Sequence, residues 1–236
     1  MKYFGIDGCK IGWFYIGIKD KKDYCFGVLT NIESILELTK EAQLVLMDIP
    51  IGLREEETRE RLCDLEARKI LKKRSSSVFP TPSRLAIKCD QYLEACQLNF
   101  QSTGRKLSKQ SFSIIKKIEE ADKFFRSSVL QNKYREMHPE VCFWALNNKT
   151  PMEFSKTKSS GFWERKLVLK KFYPYTEKLI EEALQKYLRK DLAKDDIVDA
   201  LVGAVSATFC PNLLSLPNKP ELDRSGLKME IVYPNI

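Results

Sequence analysis

Residues 2–29, KYFGIDGCKIGWFYIGIKDKKDYCFGVL, decide the fold. The stretches 2–6, 12–18 and 24–29 are rich in aromatic and β-branched residues, side chains that pack well on a pleated surface. Asp7-Gly8 and the charged turn 20–23 separate them. Connections this short join antiparallel strands, so the spacing predicts a three-strand meander. Thr30 with Glu33 three residues later predicts a capping box, opening a short helix through Ile35, Leu36 and Leu38. Gln43-Leu-Val-Leu-Met-Asp48 is then a continuous apolar run, like those of strands buried on both faces. Ile49-Pro-Ile-Gly52 stops it.

Working outward, residues 54–74 are helical in pattern and heavily charged, and the Ser/Pro stretch 75–84 (SSSVFPTPSR) reads as a loop. Two more helices are predicted near 89–100 and 107–125. The second has Ile114, Ile115, Ile118, Ala121 and Phe125 on one face. Residues 134–138 form a fifth strand, followed by a helix from Pro139 to Leu146. After a polar loop at 149–160 come helices near 162–172, 176–189 and 195–209, and an edge strand at 230–233. The result is an α/β chain whose strands ending at Asp48 and near His138 run parallel to the first. The expected organisation is one domain over 1–236, with helices on both faces of a mixed sheet and a mostly helical insertion near 54–130.

Composition narrows the chemistry. The 236 residues carry 40 Lys+Arg against 32 Asp+Glu, a net charge of +8. With 13 Phe, 9 Tyr and 3 Trp the chain has the material for a core, which excludes disorder. No apolar run approaches the roughly 18 residues that span a bilayer, and Asp7 interrupts any secretory signal. A soluble cytoplasmic protein without membrane contact is expected. The seven cysteines include no C-x-x-C pair, which argues against a zinc ribbon or thioredoxin motif. His138 is the one histidine, so H-E-x-x-H chemistry is excluded. Neither a G-x-G-x-x-G nor a P-loop is present. Carboxylate chemistry remains.

Asp7 is read either as a turn aspartate before Gly8 or as an acid presented at a strand end. Asp48 closes an apolar run just where an open α/β sheet presents its ligand-binding edge. In the last helix nearly everything after Asp199 is apolar, so that helix is predicted to be buried over most of its surface. Asp195 or Asp196 is explained as an N-cap. Asp199 caps nothing and shares a face with Asp196. Buried there, it needs either a salt bridge or a metal. If strand one lies beside strand four, Asp7 and Asp48 emerge side by side, and the last helix need only pack on that edge to add Asp196 and Asp199. Four such carboxylates repel, and Mg²⁺ or Mn²⁺ is the usual remedy. Two ions about 4 Å apart activate a water and stabilise the leaving oxygen of a phosphodiester.

This arrangement of acids resembles the ribonuclease H-like superfamily, particularly its Holliday-junction-resolvase branch, where two acids spaced i, i+3 sit on the last helix. More closely, the chain resembles domain-of-unknown-function family 429, predicted nucleases of that fold. The resemblance rests on Gly5-Ile-Asp-Gly-Cys-Lys-Ile-Gly-Trp13, Met47-Asp-Ile-Pro-Ile-Gly-Leu53, Arg61-Leu-Cys-Asp64 with Ala67-Arg68, and the stretch from Arg74 to Arg84. It continues through Leu107-Ser-Lys-Gln110, Lys117-Ile-Glu-Glu120, Arg135-Glu-Met-His-Pro-Glu140 and Asp195-Asp-Ile-Val-Asp-Ala-Leu201. It implies Asp7, Asp48, Asp196 and Asp199 as metal ligands at a catalytic centre. The chain departs from the ribonuclease H pattern in lacking a clear glutamate on the first helix, where Glu33, Glu37 and Glu41 look solvent-facing. Glu140 either completes the set or is a first-turn acid favoured by the helix dipole. His138 either positions a water or contacts a phosphate, or else is a buried structural histidine.

Basic residues cluster at 105–117, at 149–171 and around the Ser/Pro loop. Arg68, Lys72, Lys73, Arg74, Arg84, Lys109 and Lys116 are the candidates for contacting a phosphate backbone, with Phe79 and Trp163 available to stack on bases. The alternative is solvated helix faces. The expected function is hydrolysis of nucleic-acid phosphodiester bonds. The competing reading is a non-catalytic module, keeping the fold, that binds nucleic acid or a partner.

Overall fold

The structure, a computed structural model, describes residues 1–20, 22–55, 59–127 and 133–236. The chain forms two compact units, one from Met1–Asp48, Asn132–Leu214 and Val232–Ile236, the other from Ile49–Gln131 and Ser215–Ile231.

In the first unit the expected meander is β1 (Tyr3–Cys9), β2 (Gly12–Ile18) and β3 (Tyr24–Leu29), paired antiparallel in sequence. β4 (Leu44–Asp48) lies parallel to β1, and β5 (Tyr134–Glu136) lies parallel to β4. The order β3-β2-β1-β4-β5 is a five-stranded mixed sheet, consistent with a ribonuclease H-like arrangement. The short helix α1 (Ile35–Leu38) is present, but the expected Thr30–Glu33 capping box is not what opens it. Asn31 does so instead, its Oδ1 accepting from the backbone N–H and hydroxyl of Ser34 at 3.0 and 2.8 Å.

The second unit carries α2 (Leu62–Leu71), α3 (Tyr92–Thr103), α4 (Lys109–Ser113) and α5 (Ile115–Ser127). Three expectations are corrected. Residues 54, 55, 59 and 60 are not helical and Arg61 is extended, with its guanidinium reaching back to the carbonyls of Ile51 and Gly52 and forward to Asp64, so α2 starts at Leu62. The part of the expected helix over 56–58 lies outside the described residues. The helix expected over 107–125 breaks at Ile114. Part of the Ser/Pro loop is a 3₁₀ turn, Lys72–Ser77. β6 (Leu213–Leu222) and β7 (Lys228–Pro234) pair in a two-stranded sheet. β6 was not anticipated because Pro217 and Pro220 argue against a strand. A two-stranded sheet has only edges, which is where proline is tolerated.

In the first unit α6 (Pro139–Leu146), α7 (Ser159–Phe172) and α8 (Thr176–Lys186) precede α9 (Lys194–Ala207), which packs along β1 and reaches β2 and β4. From Ile197 to Ala207 every residue of α9 is buried, as the apolar run predicts. Its approach to β1 is unusually close. A Cβ on Gly5 would stand 2.0 Å from the Ala200 carbonyl oxygen and 2.2 Å from the Ala204 nitrogen. On the helix side, a Cβ on Gly203 would meet Gly5 Cα at 3.1 Å. Two glycines thus let helix backbone rest on strand backbone. Among the described residues no helix is long and apolar enough to cross a membrane.

Gly5→Ala is therefore expected to be strongly destabilising, because its Cβ meets rigid backbone. Overpacking of this kind costs about 1–3 kcal/mol or more, and each kcal/mol lowers Tm by about 2–4 °C at this chain length. Gly203→Ala should cost less, since its closest contact, at 2.8 Å, is the flexible end of Met137. Thermal melts of the two variants check the order. A Gly5→Ala protein as stable as wild type would show that the helix does not depend on this contact.

Candidate metal centre

Asp7 and Asp48 are in-register partners on β1 and β4. Neighbours in register on parallel strands face the same side of the sheet, and residues two apart on a strand share a face. Gly5 faces α9, so Asp7 and Asp48 face it too. On α9, Asp199 lies one turn before Gly203, on the same face. Seating Gly203 on Gly5 therefore carries Asp199 over the pair. One carboxylate oxygen from each of Asp7, Asp48 and Asp199 lies within 4.8 Å of the others. Asp7 and Asp199 are buried, and Asp48 keeps partial exposure at the sheet edge.

Crowding and burial shift all of these groups. Asp7 is raised well above the usual carboxylate range, chiefly by loss of hydration and then by Asp48, Asp199 and Asp196. Asp48 is pushed up to about 8 by burial and the neighbouring Asp199, with Lys156 pulling the other way. Asp199 is raised by burial, again against Lys156. Its Oδ2 accepts from Lys156 Nζ at 2.6 Å, while its Oδ1 is buried with no hydrogen-bond partner. A buried carboxylate oxygen left unpaired costs free energy that a coordinated cation removes. Three hard anionic oxygens in one place are a donor set suited to Mg²⁺ or Mn²⁺. The residues fit the ion that the resemblance implies.

Lys156 was not singled out in the sequence, where it is one basic residue of many in 149–171. Its loop is held from behind. Arg165, 1% exposed, donates from Nη1 to the carbonyls of Phe154 and Gly161 at 3.1 and 2.8 Å. Its Nε and Nη2 hold Glu140 Oε1 at 2.9 and 2.5 Å. Glu164 accepts from the backbone N–H groups of Glu153 and Phe154 at 2.7 and 3.0 Å. Gly161 leaves no room for a Cβ, which would stand 2.0 Å from the Ser155 carbonyl oxygen.

The other predicted site residues fall differently. Asp196 Oδ2 accepts from the Ala193 backbone N–H at 3.0 Å, so it serves the helix N-terminus and is not among the three gathered oxygens. Its carboxyl is pushed up to about 6, mainly by burial. Glu140 is clamped by Arg165, and its Oε2 is buried without a partner. His138 caps α6, its Nδ1 accepting from the Glu140 N–H at 3.2 Å. Arg84, expected on a nucleic-acid face, is instead buried among Glu55, Asp122 and Asp223. Its guanidinium is consumed by that network. Arg68 is half-buried, bonded to Glu60 and the Val78 carbonyl. Lys72, Lys73 and Lys109 are exposed, Arg74 is half-buried, and Lys116 pairs with Asp90 and Glu119 on the surface.

The fold and site together define a mixed α/β protein with a buried aspartate cluster where its last helix crosses strands one and four. Residues 5–222 match the family described as "Protein of unknown function (DUF429)", and the chain belongs to that family. No curated protein and no solved structure matches it.

Because the carboxyls of Asp7, Asp48 and Asp196 are raised above their unfolded values, their contribution to stability is whole below about pH 4. It is lost as pH rises through about 6 for Asp196 and about 8 for Asp48. The metal-free protein should accordingly melt several degrees lower at pH 8 than at pH 5.5. Asp48→Asn should flatten the upper part of that slope. Melts in EDTA across this range check it. A Tm that rises with pH over the same window would contradict the assigned shifts.

Proposed function

We propose that the chain is a divalent-metal-dependent nuclease that hydrolyses phosphodiester bonds of nucleic acid. The observation that carries this reading is the meeting of Asp7, Asp48 and Asp199, one of them with a buried, unpartnered oxygen. Asp7, Asp48 and Asp199 would hold Mg²⁺ or Mn²⁺, which when bound lowers the pKa of water and stabilises the charge on a leaving oxygen. The chain's own residues do the rest. The two strands fix Asp7 and Asp48 relative to each other, and α9 fixes Asp199 against both. Arg165 and Glu164 hold the loop that keeps Lys156 on Asp199. Of the predicted contacts, Lys72, Lys73 and Lys109 are exposed and would meet a phosphate backbone. The net charge of +8 favours a polyanionic substrate.

The test is cleavage of labelled single-stranded and duplex DNA and RNA with Mg²⁺, Mn²⁺ or EDTA. Cleavage should require the metal. Asp7→Asn and Asp48→Asn should each reduce it by more than the 10–100-fold typical of losing an outer-shell partner. Activity that survives both substitutions would belong to a contaminant and would remove the nuclease reading.

Binding is tested separately, with Lys72, Lys73 and Lys109 changed together to Glu. Affinity for a single strand should fall, and its dependence on salt should become shallower. If binding persists without cleavage, the non-catalytic module is the better account. If wild type binds neither nucleic acid at low salt, the substrate class is wrong.

A further inference from the structure

The unusual member of the cluster is the lysine. Resting on the metal-site reading above, a two-ion centre would need a second set of oxygens beside Asp199. Asp199 Oδ2 and Asp196 are both taken, and Glu140 Oε2, though buried and unpartnered, lies outside the three gathered oxygens. Asp199 Oδ2 is 2.6 Å from Lys156 Nζ, and Asp196 accepts the Ala193 N–H. What is left open is the set of three aspartate oxygens, with Asp199 Oδ1 buried and unpartnered.

Lys156 is 41% exposed, but its ammonium is anchored on a buried carboxylate. Its loop is fixed by Arg165, itself buried and bonded to Glu140, by Glu164 and by the close contact at Gly161. A polar loop held at this many points delivers its ammonium to one place. Three aspartates and one lysine leave a formal charge of −2, which one divalent ion neutralises and two would overshoot. Adding the fourth acid, Asp196, leaves one ion and two ions equally far from neutrality, so the occupied oxygens decide.

We propose that Lys156 is a built-in cation of this site: the aspartate cluster takes a single divalent ion, and the ammonium stays on Asp199 where a second ion would sit. The site is a metal-plus-lysine centre. Lys156 supplies a fixed positive charge beside Asp199. A tethered ammonium of this kind costs no second ion to recruit.

Stoichiometry separates this from the two-ion alternative without any substrate. Isothermal titration and electron paramagnetic resonance with Mn²⁺ would be run on wild type, Lys156→Arg and Lys156→Ala. The expected result is one Mn²⁺ per chain for wild type and for Lys156→Arg, and two for Lys156→Ala. In EDTA, Lys156→Ala should melt several degrees below wild type, and excess Mn²⁺ should restore it. Two ions in wild type would overturn the role of Lys156 while leaving the metal site standing. One ion in Lys156→Ala, at unchanged affinity, would do the same. Binding only after Lys156 is removed would make the lysine a plug and overturn the proposal. No Mn²⁺ bound by any of the three chains would overturn the metal reading itself. Should Lys156→Ala fail to fold, the wild-type and Lys156→Arg stoichiometries still decide between one ion and two.

Discussion

Helix backbone lies directly on strand backbone where Gly203 of α9 meets Gly5 of β1, and the rest of the site depends on that contact. Side chains normally hold a helix about 10 Å from a sheet, the spacing at which layers pack. Removing both side chains lets α9 sink. Because one helical turn and two strand residues span similar lengths, the displacement that seats Gly203 on Gly5 also seats Asp199 over Asp7. The parallel register of β1 and β4 then supplies Asp48 at no further cost in geometry. Three acids from distant parts of the sequence meet because two residues lack a side chain.

Such a meeting is unfavourable in itself. Burial removes hydration from each carboxylate, and each then repels the others, which is why the carboxyls of Asp7, Asp48 and Asp199 are all raised. Protein folding alone would select against this arrangement. The Lys156 ammonium relieves part of the repulsion, and Asp199 together with Asp48 and Asp7 holds that ammonium protonated. Arg165 answers the fourth buried acid, Glu140, and in the same stroke fastens the Lys156 loop. The buried Arg165–Glu140 pair and the half-exposed Lys156–Asp199 pair are thus mechanically linked. One guanidinium satisfies Glu140 and positions the cation that Asp199 requires.

Much of the fold was legible in the sequence because it is written in local patterns. The meander follows from short turns between aromatic and β-branched runs, β4 from its unbroken apolar stretch, and α9 from an apolar run too even for a surface helix. The register that pairs Asp7 with Asp48 follows from strand order, which a parallel crossover restricts. Other features were illegible for stated reasons. Arg61 overrides the helical pattern just before Leu62 through bonds to carbonyls nine and ten residues back, which no window of propensity contains. Asn31 holds the turn that leads into α1 by accepting from Ser34, where Thr30 and Glu33 advertised a capping box, because a short polar side chain can close such a turn in either way. In the sequence a salt bridge and a metal are rival partners for a buried Asp199. Its two oxygens are in different situations, so the structure supports one without removing the other. Nothing in residues 149–171 marks Lys156 from its neighbours, because its selection is made by loop geometry.

The basic residues show why net charge is a poor guide to where a polyanion would be met. Arg54, Arg61, Arg84 and Arg165 are all buried, each bonded to a carboxylate. A guanidinium carries five donors in a planar fork and is weakly hydrated, so it can serve several buried acceptors at once. Arg84 serves three acids, and Arg165 serves one acid and two carbonyls. Lys72, Lys73 and Lys109, whose compact ammonium is strongly hydrated, stay at the surface. Counting Lys and Arg together therefore merges two populations that folding has already separated. One closes the interior by pairing with acids, and the other presents its charge at the surface. Lys156 belongs to neither population. Its side chain is 41% exposed, yet its ammonium bonds the buried Asp199, and this makes it the basic residue whose charge has most to do with what the site binds.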